Sequence, residues 1–158
     1  MSGLTELLAR VEAATGPDRE LDVALCLSLS YIAYDPSPLN LRPSEDDGAE
    51  WLDYELVEDG KLVDCSDKAP ELTSSIDAAL ALAERKLPGW FWRGGHVPSF
   101  HWTGSRNVDC WAHLSRTDAS NCDKGDEATG WCNTVPLAII AALLRALISR
   151  TPATGGKP

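Results

Sequence analysis

The stretch Val135-Pro136-Leu137-Ala138-Ile139-Ile140-Ala141-Ala142-Leu143-Leu144-Arg145-Ala146-Leu147-Ile148-Ser149-Arg150 decides how this chain is read. Pro136 falls in a first helical turn, where its missing N–H costs nothing. Leu137, Ile140, Leu143, Leu144 and Leu147 then recur at helical spacing to form one wide apolar face. Such a helix is expected to be mostly buried. The face from Leu137 to Ile148, together with aromatic-rich strands, exceeds what one small sheet is expected to cover, so a homo-oligomer is expected. Beyond it, Thr151 to Pro158 has no packing pattern and is expected to be a disordered tail, residues 151–158.

Working outward, three more helices are legible. Leu4, Leu7, Leu8 and Val11 share a helical face that Gly16-Pro17 ends, and Asp18 caps a second helix through Leu21, Ala24, Leu25 and Leu29. Ser74 or Ser75 caps a third, Ile76 to Lys86, with Arg85 and Lys86 at its negative end and Pro88-Gly89 as its stop. Trp51 to Val57 alternates as a strand does, and Asp59-Gly60 supplies the positive φ angles of a tight hairpin returning at Leu62 and Val63. Further short strands are expected at Trp90 to Arg93, Phe100 to Trp102 and Val108 to Leu114, separated by turns at Gly94-Gly95 and Gly104. Asp35 to Glu50, with Pro36, Pro38 and Pro43, and Arg116 to Thr129 read as loops. The order implies an α+β domain of two or three layers with a mostly antiparallel sheet, a single domain over residues 1–150.

Composition narrows the function classes. The chain has 158 residues, long enough for a core without staples, and its 24 acids against 14 bases give a formal charge of −10. Such a charge repels phosphate backbones, so no nucleic acid polymer is expected as a partner. No apolar run is long enough for a bilayer and the first residues lack signal-peptide character, so no membrane partner and a cytoplasmic location are expected. Cys26, Cys65, Cys110, Cys122 and Cys132 are odd in number and irregularly spaced, as reduced thiols are.

Three blocks carry a resemblance: Leu7 to Asp22 around Thr15-Gly16-Pro17-Asp18, Ser75 to Leu82 with Leu87-Pro88-Gly89-Trp90, and Thr134-Val135-Pro136-Leu137-Ala138-Ile139-Ile140. Together these blocks, about half the chain, resemble the phage ABA sandwich domain, a family of small phage and prophage proteins. The resemblance implies an α-β-α sandwich and expression in the cytoplasm of an infected host cell. It brings no catalytic residues.

From Arg85 to Arg116 the charge balance reverses: Arg85, Lys86, Arg93, Arg106 and Arg116 stand against the single acid Asp109. His96, His101 and His113 fall in the same window, with Trp90, Trp92, Trp102 and Trp111. Rings that stack on bases beside guanidinium groups that grip phosphate suit a planar anion, and Gly94-Gly95 would let backbone N–H groups approach one. Trp90 and Trp92 are weighted toward core. In the strand ending at Leu114, Val108, Cys110, Ala112 and Leu114 form an apolar face, so Asp109, Trp111 and His113 point the other way. The ligand-binding candidates are therefore Arg93, His96, Trp102, Arg106, Trp111 and His113.

Rival chemistries fit less well. Cys110 and His113 have a Cys-x-x-His spacing, but a strand sends them to opposite faces and structural zinc wants close cysteine pairs. The same geometry separates Cys110 as nucleophile from His113 and Asp109. The acids from Glu45 to Asp59 lack the ligand spacing of a calcium loop. The expectation is a non-enzymatic protein with no cofactor and no metal, which sequesters a small phosphorylated nucleotide-like ligand such as a host immune signal. The alternatives are an acidic protein-interaction module and a small hydrolase or metal-binding domain. If the apolar sets alone build the core, a strong chelator will leave the melting curve unmoved; a fall of many degrees, with stoichiometric zinc in the purified protein, would overturn this.

Overall fold

A computed structural model of the chain describes residues 2–96, 109–116 and 126–150. The expected strand Phe100 to Trp102, the turn at Gly104 and the tail 151–158 lie outside the described residues, as do His101, Trp102, Arg106 and Cys122. Four helices and six strands follow in the order α1 (Ser2–Ala13), α2 (Arg19–Leu29), β1 (Leu39–Pro43), β2 (Trp51–Glu58), β3 (Lys61–Lys68), α3 (Ile76–Lys86), β4 (Phe91–His96), β5 (Cys110–Ser115), β6 (Glu127–Cys132) and α4 (Val135–Arg150). The fold is α+β and every strand pairing described is antiparallel. The strands divide between two three-stranded sheets, β1-β2-β3 and β4-β5-β6. A hydrophobic pattern specifies which face of a strand is buried and not which strands share a ladder; here α3 intervenes between the two sets.

Local chemistry explains the elements. The Asp18 carboxylate accepts from the Leu21 N–H at 3.1 Å and Ser75 Oγ accepts from the Ala78 N–H at 3.1 Å, so both expected caps are made. Asp59 and Gly60 take φ of 51° and 77°, and Glu58 pairs with Lys61 across them as a two-residue hairpin requires.

Two strands escaped the sequence reading. β1 lies where three prolines argued for a loop. It is an edge strand with Pro43 at its end, where a missing N–H is tolerated, and its ladder is broken between Leu39 and Arg42, with Asn40 at φ 53°. β6 lies where a polar loop was expected to run on to Thr129. Its inward residues are the small Ala128, Gly130 and Cys132, which carry little hydropathy signal. Gly94 and Gly95 form no turn; they sit inside β4, opposite Ala112 and Trp111.

α4 is the centre of the core. Every residue from Pro136 to Leu144 is buried, with β4-β5-β6 on one side and α1 and α3 beside it. Leu52 and Tyr54 of β2 join the same core. The apolar face of α4 is thus covered within one chain, and the reason given for a homo-oligomer does not apply to it. Among the described residues the exposed large apolar side chains are instead Tyr34, Val57 and Leu62, with Leu39, Ile76 and the β4 aromatics less so. Among the described residues no helix is long and apolar enough to cross a membrane.

α2 is tied to the segment that leads into α3 by a buried carboxylate. Asp22 accepts from the Thr73 N–H at 2.7 Å and from Arg19 at 2.7 Å. Arg19 also donates to the Ala69 carbonyl at 2.7 Å, and the Thr73 hydroxyl accepts from the Asp18 N–H at 2.8 Å. Burial pushes the Asp22 carboxyl up from its usual range, against the opposing pull of Thr73 and Arg19.

Gly130 allows β6 its close approach to α4. A Cβ there would stand 2.2 Å from the Ala138 carbonyl oxygen, 2.7 Å from the Ala142 nitrogen and 2.9 Å from the Ala141 Cβ. Gly130→Ala should therefore cost about 3 kcal/mol, the upper part of the range for overpacked cores, and lower Tm by roughly 10 °C. Gly95→Ala, whose added methyl meets nothing closer than 4.0 Å, is the matched control and should melt within a few degrees of the parent. Equal melting of the two variants in a thermal scan would refute the close-packing account.

Candidate binding face

β5 runs down the middle of its sheet with its side chains divided as the sequence implies. Cys110, Ala112 and Leu114 are buried on the side facing α4, while Trp111 and His113 are half-buried on the other. Antiparallel register carries this division to the neighbours, because directly opposed residues share a face. Arg93 lies opposite His113, and Thr129 lies opposite it on the other flank. One step along, Trp111 stands between Gly95 and Trp131. Arg93, His113, Thr129, Trp111 and Trp131 therefore share the face turned away from α4. The helices in contact with this sheet are α4 and, at β6, α1.

His113 is fixed in place. Its Nδ1 is 2.8 Å from Thr129 Oγ1 and its Nε2 is 3.3 Å from a Glu127 carboxylate oxygen, with Glu127 on the same face. The Glu127 carboxylate offsets part of the positive charge of the Arg85 to Arg116 window. Other members of the basic window are committed elsewhere. Arg85 donates to the carbonyls of Ile32, Ala33 and Asp35 and lies over the Tyr31 ring at 5.1 Å. Arg116 pairs with Asp126 at 3.4 Å, and burial holds the Lys86 ammonium below its usual range. Among the described residues Arg93 makes no ion pair, which leaves it as the guanidinium available to a ligand here.

The remaining candidates separate. His96 pairs with Cys110 and so belongs to the opposite face from Arg93, Trp111 and His113. Trp102 and Arg106 lie outside the described residues. Gly94, suggested as an anion contact, is small for a packing reason: a Cβ would come within 2.8 Å of the Trp111 carbonyl and 2.9 Å of the Trp92 ring. Of the two tryptophans weighted toward core, Trp90 is partly buried against it and carries the Arg150 guanidinium over its ring at 5.4 Å, whereas Trp92 is 40% exposed. The expected loop, Arg116 to Thr129, takes in Thr129, and no strand is expected at Trp131; the alternation Glu127, Thr129, Trp131 against Ala128, Gly130, Cys132 is the signal that marks both.

Cys110 and His113 lie on opposite faces, as the strand reading required. The Cys110 thiol points to the Asn133 carbonyl at 3.7 Å, and burial raises its pKa. Among the described residues no three His, Cys, Asp or Glu side chains converge as a metal site would need. The Asp109 Oδ1 oxygen, at the head of β5, is buried without a hydrogen-bond partner among the described residues. Comparison of the chain with protein-family models, with curated proteins and with solved structures finds no match.

Burial also sets the thiol chemistry. Cys26 and Cys132 are fully enclosed and their pKa values are pushed up to about 12, whereas Cys65 is partly exposed on β3. With Cys122 replaced by serine, one equivalent of iodoacetamide at pH 8 should label Cys65 first and leave Cys26 and Cys132 unmodified until the protein is unfolded. Peptide mapping that finds Cys26 or Cys132 alkylated in the native protein would contradict this packing.

Proposed function

We propose that this chain is a non-enzymatic binding protein that holds a small, planar, phosphorylated ligand on the β4-β5-β6 face. The observation that carries the reading is the meeting of Arg93, Trp111 and His113 on one sheet face, with Trp131 beside Trp111, while α4 occupies the other face. Indole rings offer a stacking surface to any base, and a guanidinium with no ion pair among the described residues offers two parallel donors to a phosphate. His113, oriented by Thr129 and Glu127, adds a fixed donor or acceptor between them. The resemblance to the phage ABA sandwich domain supplies the setting. There, a nucleotide-type host immune signal, such as a cyclic nucleotide, is the ligand whose capture would favour a phage.

A second reading rests on the other sheet. Its outer face carries Asp53, Glu55 and Asp64, and at its hairpin end Val57 and Leu62 oppose each other across the ladder while 61% and 63% exposed. An apolar pair beside acids suits docking on a basic protein, and the same pair is where self-association would occur. A single 17 kDa species by light scattering at micromolar concentration would rule out the latter.

A thermal-shift screen against cyclic di- and oligonucleotides, ADP-ribose derivatives and mononucleotides tests the main reading, because a ligand bound only by the folded state raises Tm. For a ligand that scores, Arg93→Ala should weaken binding about ten- to a hundredfold and reduce its salt sensitivity. Trp111→Ala should cost about 1 to 3 kcal/mol of affinity, with much less dependence on salt. No shift from any of these ligands, or variants that bind as the parent does while folded, would end the reading.

A further inference from the structure

A second recess lies away from the sheet face, between α3 and the start of β4, and its chemistry is opposite in sign. It encloses about 290 Å³, near the lower end of small-molecule pockets. Leu87 and Leu114 contribute an apolar floor. Asp77 and Glu84 line it from α3, and Trp90 and Trp92 from the chain entering β4. Asp77 and Glu84 are seven residues apart, so two helical turns place both carboxylates on the same side of α3 about 10 Å apart along its axis.

This combination selects its occupant. Among the described residues no lysine or arginine lines the recess, and Arg150 reaches only the Trp90 ring, so an anion inside would meet two carboxylates. A metal ion would need converging oxygens, which carboxylates two turns apart do not provide. An organic cation suits every wall: carboxylates balance its charge, indole faces attract it, and the apolar floor takes its carbon. The attraction is already visible within the chain, because the Arg150 guanidinium rests on the Trp90 ring at 5.4 Å. Trp92, the more exposed of the two, has no cation on it among the described residues. The overall charge of −10 raises the local concentration of any cation.

We propose that the recess between α3 and β4 binds a small organic cation bearing an alkylated ammonium group, held between the Trp92 indole and the carboxylates of Asp77 and Glu84. The proposal is independent of the sheet-face reading, since it uses none of the same residues and a ligand of opposite charge.

Choline and its neutral isostere, in which carbon replaces the nitrogen, are the probes, titrated into the full chain and followed by calorimetry. Choline should bind saturably, and the isostere about tenfold more weakly, the difference expected of a desolvated cation on an aromatic face. The double substitution Asp77→Asn with Glu84→Gln keeps the shape and removes the charge; it should weaken choline about three- to tenfold and leave the isostere unchanged. Trp92→Leu should weaken choline about tenfold, with its melting curve recorded to show that the variant is folded. Equal affinity for the two probes would mean an apolar slot only and overturn the proposal. So would choline binding unaffected by the double substitution, or no saturable choline binding by a parent protein with an intact melting curve.

Discussion

How closely a strand can lie on a helix is limited by the bulk between them, and here that bulk has been reduced to almost nothing. Gly130 on β6 meets Ala138, Ala141 and Ala142 on α4, so backbone approaches backbone with no side chain intervening. The rest of the architecture follows from this contact. Because β6 is seated there, β5 and β4 are laid over the same helix in register, with Ala112 and Gly94 continuing the row of small residues outward from Gly130. Cys132, one pleat along, is enclosed next to α1, with its thiol toward the Val11 carbonyl. The outward-facing residues inherit their places from the inward ones: Trp131 and Thr129 face away from α4 because Gly130 faces it.

The junction of α2 with the segment leading into α3 relies on polar contacts. Asp22, Thr73, Asp18 and Arg19 join the N-terminal end of α2 to the segment between β3 and α3 through bonds that span 50 to 55 positions of sequence. Each partner satisfies a group that would otherwise be buried without one, so the clasp acts as a unit: removing one member strands the others. It also sets where α3 begins, and with it the wall of the recess that Asp77 and Glu84 line.

Much of this was legible in the sequence because it depends on local rules. The caps at Asp18 and Ser75, the Asp-Gly turn and the periodicities of α3 and α4 need no tertiary information, and the structure has them. The opposed faces of Cys110 and His113 follow from the two-residue period of any strand. What was not legible depends on context. β6 looks polar because glycine and alanine serve as its inward residues, a choice that makes sense only once α4 is known to be in contact with them. The assignment of Arg85 to carbonyls of the α2–β1 connection, and of His96 to the far side of the sheet, likewise needed the register. Composition singled out the window, and strand pairing shows which of its described members share a face.

The place of α4 in the chain order has a consequence for how the molecule is made. The helix around which the sheet β4-β5-β6, α1 and α3 are arranged comes last among the described elements, and α1 comes first among them. Glu12 is paired with Arg145, and Asn133 donates to the Ala14 carbonyl, so the beginning of the fold is closed by its end. On a ribosome, each earlier element emerges with its apolar side facing a partner not yet synthesised. The interval before α4 appears is the period in which this chain is most exposed to aggregation, and closing such long loops makes the final step slow compared with that of a helical bundle of equal size.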